Sequence, residues 1–512
     1  MGSFTADEVR ALGGPDWLRA ARLDALERFA SLDLPTTEAE VWRYSRVDEL
    51  DLDRFVPAPP VSDQALVEAA RAAASGAEVA GLVVTVNGRV AHTEIAESAA
   101  GLLAVSSLAD APHGRDAWDA LRLGDDAFHA LAAAFRPDAI RVRVAPGAEL
   151  AGPVVVVHLV TSGGGQVQPP GVGTTGARTD RPVAVFPAVA LEVGERASVS
   201  CVELVRSSED ELLVMPVTRL ELAREARLDY VTVQELGAST WQVGHQRSVV
   251  AADARLVSFT LALGGDYARA RVDSSLEGPG GSSELLAAYY GRDGQVLDFR
   301  TQQIHAAPHT TSDLLFKGAV SGASRSVYTG LIQVRRGAKG TNAFQTNRNL
   351  VLSPDAHADS VPNLDIAEND VRCSHASAVG PIDPEQRYYL ESRGIPPAEA
   401  DRLIVLGFFD DILGRLPVSA LRPAARESLA ARAGLATSRT HPDHDSTVHD
   451  STVQDSTVQD STVHDSTVQD RPGGDERPRG APGNEPGGTA VALEGRAGPW
   501  FAPVEPEAGN GR

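Results

Sequence analysis

ALEVGERASVSCVEL (Ala190–Leu204), RLELAREARLDYVTV (Arg219–Val233) and SVVAADARLVSFTLAL (Ser248–Leu263) share one form. Each has two short β-rich runs joined by a small polar turn centred on an alanine: Ala197, Ala226 and Ala254, spaced 29 and 28 residues apart. SSLEGPGGSSELLAAYY brings Gly281 to the same place 27 residues later, and looser copies fall around Ala323 and Ala356. A strand-rich period near 28 with no helices between is not an α/β unit. One copy cannot bury its own apolar face, so stacking is the expected solution. The pattern predicts a mainly β chain with a parallel β-helix or similar β-solenoid core; a two-sheet sandwich is the runner-up.

Outward from the repeat, the pattern changes on both sides. AIRVRVAPGAELAGPVVVVHLV (Ala139–Val160) reads as two strands. The glycine-rich stretch 161–182 reads as a flexible loop, since it lacks the Gly-Lys-Ser/Thr ending of a phosphate cradle. Residues 79–138 read as a mixed α/β lead-in, with a hairpin turning at Asn87-Gly88 and a helix in DDAFHALAAAF. Residues 1–78 read as an N-terminal helical region. Thr37 and Glu40 have the form of a capping box there, and Val41, Tyr44 and Val47 make a short apolar stripe. The core is expected over 139–382. A C-terminal helical region follows over 383–434, with Gly394 closing one helix and Pro396-Pro397 opening the next. Ala400, Leu403, Ile404, Phe408 and Ile412 fall on one face of that second helix. The tail 435–512 contains five DSTV(H/Q) pentamers, Asp445–Gln469, and reads as a disordered acidic segment. His444, His449 and His464 in it read as spacing within a linker.

The formal net charge of −22 argues against a nucleic-acid binder and against an anionic-membrane binder. Two cysteines, Cys201 and Cys373, cannot build a disulfide framework, so a reducing cytoplasm is the simplest location. The N-terminus has no signal-peptide pattern, and the longest apolar run, Pro153–Val160, is far shorter than a membrane span.

The stretch ENDVRCSHASAVGPID (Glu368–Asp383) carries the densest chemistry. On a strand, Val371, Cys373, His375, Ser377 and Val379 share a face. Cys373 and His375 could then be a half-buried structural pair, ligands to iron, zinc or a small cluster, or a nucleophile with its base. Two ligands do not fill a tetrahedral site, and nothing in the sequence supplies an oxyanion hole. His305 and His309 straddle Pro308 and read as turn-associated structural histidines; His357 is a further candidate. Cys201 reads as a buried core thiol. There is no Walker A pattern, no strand-linked GxGxxG and no HExxH.

TNAFQTNRNLVLSPDAHADSVPNLDIAENDVRCSHASAVGPIDPEQRYYLESRGIPPAEADRLIVLGFF (Thr341–Phe409) resembles the SufB/SufD family of iron–sulfur cluster assembly proteins, on its SufD branch. HAAPHTTSDLLFKGAVSGASRSVYTGLI (His305–Ile332) and LPTTEAEVWRYS (Leu34–Ser45) match as well, so the likeness covers roughly residues 10–430. It implies a right-handed parallel β-helix between N-terminal and C-terminal helical regions. It also implies a non-catalytic scaffold that pairs with a SufB-like chain through the β-helices and binds a SufC-like ABC ATPase through its C-terminal helices. Leu403, Ile404, Phe408 and Ile412 are the expected ATPase contact. The cargo would be a transient Fe–S cluster or iron at the interface with SufB, passed on to apo-proteins. His375, in the CSH tripeptide, is the implied cluster-site residue, with Cys373 second. A flavin has been linked with such complexes, but no motif here supports one. Where relatives continue CSHGATVGQLD, this chain has CSHASAVGPID, so Ala376 and Pro381 are departures. The competing reading is a stand-alone β-solenoid enzyme acting on polysaccharide, which needs clustered carboxylates. Asp359, Asp365, Glu368 and Asp370 are the dense acidic group it would use.

Overall fold

The computed structural model describes residues 2–434 except 62–63, 75–77, 110–113, 164–165, 168–171 and 174–180. The pentamer tail with its histidines and most of the 161–182 loop therefore lie outside the described residues. The core is a parallel β-solenoid of about 7 turns with helices at both ends. Its strands form two stacked sheets. The first runs from Ile140–Val144 through Val217–Leu222, Thr240–Val250 and Val296–His305 to His357–Ile366. The second runs from Val154–Val160 through Ser198–Ser207 and Thr311–Val320 to Thr341–Val351 and Val371–Gly380.

The alanine signal has a physical cause at the corner between the two sheets. Gly147, Arg196, Glu225, Asp253, Gly280, His309 and Gly340 all take left-handed backbone there. For a non-glycine residue this costs roughly 1–2 kcal/mol. The cost is offset by stacking, because each corner N–H donates to the next coil. Arg196 reaches the Arg224 carbonyl at 3.0 Å, Glu225 reaches Ala252 at 2.9 Å, and His309 reaches Lys339 at 2.7 Å. The residue after it points into the closed corner, where Ala197, Ala226 and Ala254 are buried and the side chains stay small, Thr310 and Thr341 being the largest. The later copies depart from the expectation. Ala323 and Ala356 lie at the opposite corner, entering first-sheet strands after Gly322 and Asp355. The corner that began with Ala197 continues instead through His309-Thr310 and Gly340-Thr341.

Parallel in-register pairing turns each inward position into a ladder. Val193, Leu222, Val250, Leu276, His305, Val334 and Ile366 stack in the first sheet. His305 is thus an interior residue, held by the hydroxyls of Thr310 (2.8 Å) and Ser312 (2.9 Å). In the second sheet, Val154, Cys201, Tyr230, Ser258, Leu285, Leu314, Gln345 and His375 form one ladder. Cys201 is fully buried, as expected of a core thiol.

The sheets' outer faces are covered by the flanking regions. The hairpin Gly81–Val86/Arg89–Ile95 turns at Asn87-Gly88 as expected, and Gly81–Val86 continues the second sheet in parallel with Val154–Val160. Helices Asp16–Ser31 and Ala127–Phe135 pack over the start of the first sheet, against Ala188, Ala190 and Val217. The stretch after Thr37 is not the helix its capping-box pattern suggests. It forms short 3-10 turns, Glu40–Trp42 and Val47–Glu49, with Tyr44 in left-handed backbone. Tertiary contacts override the local signal there. Arg269 stacks on Trp42 and donates to the Val41 carbonyl (2.6 Å), while Arg300 donates to the Arg43 carbonyl (2.6 Å). Both arginines are held by the fully buried Asp298.

Helices Pro384–Glu391, Pro397–Leu413 and Arg422–Arg432 follow the last strand. Phe409, Ile412 and Leu413 pack on Leu286, Ala288, Tyr290 and Ala319 of the second sheet. Lys317 fixes the docking: its ammonium bonds the Phe408 carbonyl at 3.1 Å and the Asp411 carboxylate, and lies over the Phe408 ring. The expected partner face is therefore split. Ile412 is fully buried against its own solenoid, and Phe408 is partly buried beneath Lys317, whereas Leu403 is 42% exposed. Periodicity placed these residues on one face but could not say which neighbour that face meets. No described helix is long and apolar enough to cross a membrane.

Candidate functional site

Cys373 and His375 lie on the strand Val371–Gly380, as the alternation required. Among the described residues this strand pairs on one side, with Thr341–Val351, and His357–Ile366 pairs with Arg325–Val334 alone. The described solenoid ends there with two open strand edges, a ready template for another chain. The inward row of Thr341–Val351 is Ala343, Gln345, Asn347 and Asn349, all buried. In register above it stand Cys373, His375, Ser377 and Val379. These four have inward directions but no coil above them. His375 is consequently exposed on the solenoid's open mouth. Among the described residues its ring has no hydrogen-bond partner.

Cys373 is half-buried against Ile332, Val334, Ala338 and Ala343. Burial raises its thiol pKa, and a hydrogen bond involving the Ala343 backbone offsets only part of that. A thiol shifted in this direction is not an activated nucleophile. His375 makes no hydrogen bond to it, so the nucleophile-with-base arrangement is not formed. Among the described residues, no three His, Cys, Asp or Glu side chains converge on a point that could hold a metal ion. One exposed imidazole with one neighbouring thiol can supply part of a ligand set. The described residues do not complete one.

The other sequence candidates are occupied in structural roles. His309 is a corner residue with left-handed backbone. His357 is on the first sheet, 3.1 Å from Asp359, which is itself paired with Arg325. Asp365 accepts from Gln333 at 2.8 Å, and Glu368 accepts the Gly337 N–H at 3.1 Å. Asp359 and Asp365 are six positions apart on one strand, roughly 20 Å. They do not face each other across a groove. Ala376 is on the outward row, away from His375, and Pro381 follows the strand's last residue, where its missing N–H breaks no ladder bond.

Sequence reading missed Gln345 and Ser360. Both are inward residues near the open end, each with a buried polar atom that has no partner among the described residues: the Gln345 Nε2 and the Ser360 Oγ. The signal was available in the period, because Gln345 sits one coil before His375 in the same ladder. Also missed was a chain of contacts between the N-terminal region and the solenoid. His129 bonds Asp126 (2.7 Å) and His245 (2.7 Å), and His245 bonds Asp273 (3.0 Å). Those residues are far apart in sequence and meet only through packing.

Residues 175–408 match the family model described as SUF system FeS cluster assembly, SufBD core domain. The chain is 42% identical over 214 residues to an iron–sulfur cluster assembly SufBD family protein of Mycobacterium tuberculosis (strain ATCC 25618 / H37Rv), covering 40% of this chain and 53% of that protein. It is 37% identical over 149 residues to the iron–sulfur cluster assembly protein SufD of Bacillus subtilis (strain 168), covering 29% and 34%. With SufD of Escherichia coli (strain K12) it shares 32% over 189 residues, covering 37% and 45%. The chain thus spans about half the length, or less, of these curated relatives. The matched region includes the open coil and His375.

Proposed function

The chain belongs to the SufB/SufD family of iron–sulfur cluster assembly proteins, and from that premise we propose that it is a SufD-like scaffold subunit. It would pair with a SufB-like chain and bind a SufC-like ABC ATPase. The nascent cluster is cargo: it assembles at the shared interface and passes to apo-proteins. The chain itself catalyses no ATP hydrolysis.

One observation supports this reading above the others. Among the described residues the last coil presents two unpaired strand edges and an exposed His375 whose ring makes no hydrogen bond, in the same place. A partner strand added to that edge would bury Ile366 and Val379, large apolar residues exposed near the open end. It would also bring its own side chains to His375, supplying the ligands this chain lacks. A neutral imidazole and a thiolate are both accepted by iron. His375 is the first ligand or positioning group and Cys373 the second, since the thiol must lose a proton that burial helps it to keep. On the C-terminal helices, Leu403 and Ile404 remain for the ATPase; Ile412 does not.

Co-expression with a SufB-like chain and an ABC-type ATPase tests the reading. A stable complex is expected, with cluster absorbance on anaerobic reconstitution that His375→Ala reduces more than tenfold. A chain that stays alone, or undiminished assembly in His375→Ala, would sink it.

A further inference from the structure

We propose that Gln345, together with Ser360, forms the polar floor of the His375 site and donates hydrogen bonds to the sulfur of the cargo held there. The inference rests on the functional reading above.

The strand Thr341–Val351 contains its own control. Asn347 and Asn349 are buried on the same inward row as Gln345, and both are satisfied. Tyr289 donates to Asn349 Oδ1 (2.7 Å), Asn349 donates to Asn347 Oδ1 (2.8 Å), and Asn347 Nδ2 donates to the Tyr289 hydroxyl (3.1 Å). Gln345 is different. Its Oε1 accepts a long bond from Tyr328 (3.4 Å), and its Nε2 has no partner although the residue is 1% exposed. Exchanging the amide oxygen and nitrogen does not resolve this, because Tyr328 reaches only one end. The rung below is Leu314, which offers no acceptor; the rung above is His375. A buried amide donor left unmade costs about 1–3 kcal/mol. This one occurs where the ladder opens to the mouth.

Ser360 repeats the feature from the opposite sheet. It is in register with the inward Tyr328, and its Oγ is buried without a partner. Gly330 leaves room for the Tyr328–Gln345 contact: a Cβ there would collide with the Tyr328 hydroxyl and Gln345 Oε1. An amide N–H one rung beneath the exposed His375 and a hydroxyl on the facing sheet are therefore both buried, able to donate and without a partner among the described residues. The ligand that fits is an acceptor with several lone pairs held at His375. Sulfide or thiolate sulfur of the cargo meets that description, and hydrogen bonds to cluster sulfur raise its reduction potential.

The test uses the complex with the SufB-like partner, reconstituted anaerobically with ferrous iron and sulfide. In Gln345→Leu and Gln345→Met the cluster that assembles is expected to have a more negative midpoint potential and several-fold faster loss than in wild type. Ser360→Ala is expected to shift both in the same direction by less, and Ser360→Thr to restore them. Potential and decay unchanged in both Gln345 variants and in Ser360→Ala, with His375→Ala still unable to assemble cluster, would overturn the inference and leave the function standing. Undiminished cluster in His375→Ala would overturn the function, and the inference with it.

Discussion

The middle of the solenoid and its last coil use the same kind of residue in opposite ways. In the middle coils, Glu203 is buried in the interior. His158 Nε2 is 3.1 Å away, Thr218 donates at 3.2 Å, and the Tyr230 hydroxyl donates as well. Burial alone would raise its pKa; these partners outweigh burial and hold it below the ordinary carboxylate value. The neighbours of Glu203 thus answer one another across coils, although the Gln242 Oε1 and the Gln303 amide in the middle coils have no partner among the described residues. Toward the open end, the Gln345 Nε2, the Ser360 Oγ and the His375 ring on the next rung are on inward rows and have no partner among the described residues. The difference teaches where a solenoid can do work: a closed coil keeps its polar residues, paired or not, away from other molecules, whereas the terminal strand leaves His375 exposed to a partner.

The largest effect is expected from the middle. Glu203→Ala leaves His158 and Tyr230 buried without their acceptor, and should cost roughly 3–5 kcal/mol in denaturant unfolding. A loss below about 1 kcal/mol would mean that the middle coils are not closed in the sense argued.

The next is a pH effect. Burial lowers the pKa of His305 to about 4 and of His245 to about 4. The unfolded chain takes up these protons near the ordinary value of about 6.5, and the folded chain does not. Stability is thus fully present above about pH 6.5 and falls as pH drops toward 4, by up to about 3 kcal/mol for each histidine. His305→Gln should flatten its share of that slope. An unchanged pH dependence in the variant would contradict the burial argument.

The smallest stability effect should come from the residue with the largest functional one. His375→Ala is expected to change unfolding free energy by no more than about 0.5 kcal/mol, as for other exposed sites without partners. A marked destabilisation would show that His375 is structural after all.

Much of this was legible in the chain. Ala197, Ala226 and Ala254 marked the corner because a closed corner accepts only a small side chain, and this steric rule is local. The alternation around Cys373 and His375 is likewise a backbone property, so their shared face could be read directly. Element boundaries such as Gly394 and Pro396-Pro397 follow from φ preferences. The repeat assignment slipped at Ala323 and Ala356, because both corners use small residues and only pairing tells them apart.

What the sequence could not determine was neighbourhood. The Thr37 capping box lost to Arg269 and Arg300, which come from strands more than two hundred positions away. Ile412 was on the right face of its helix, but the face met its own sheet. Cys373 and His375 were correctly paired in direction, yet their exposure depends on having no coil above them. Spacing along the chain fixed which side chains point together; the stacking of coils decided which of them are covered, because burial and hydrogen-bond satisfaction belong to contacts between distant segments.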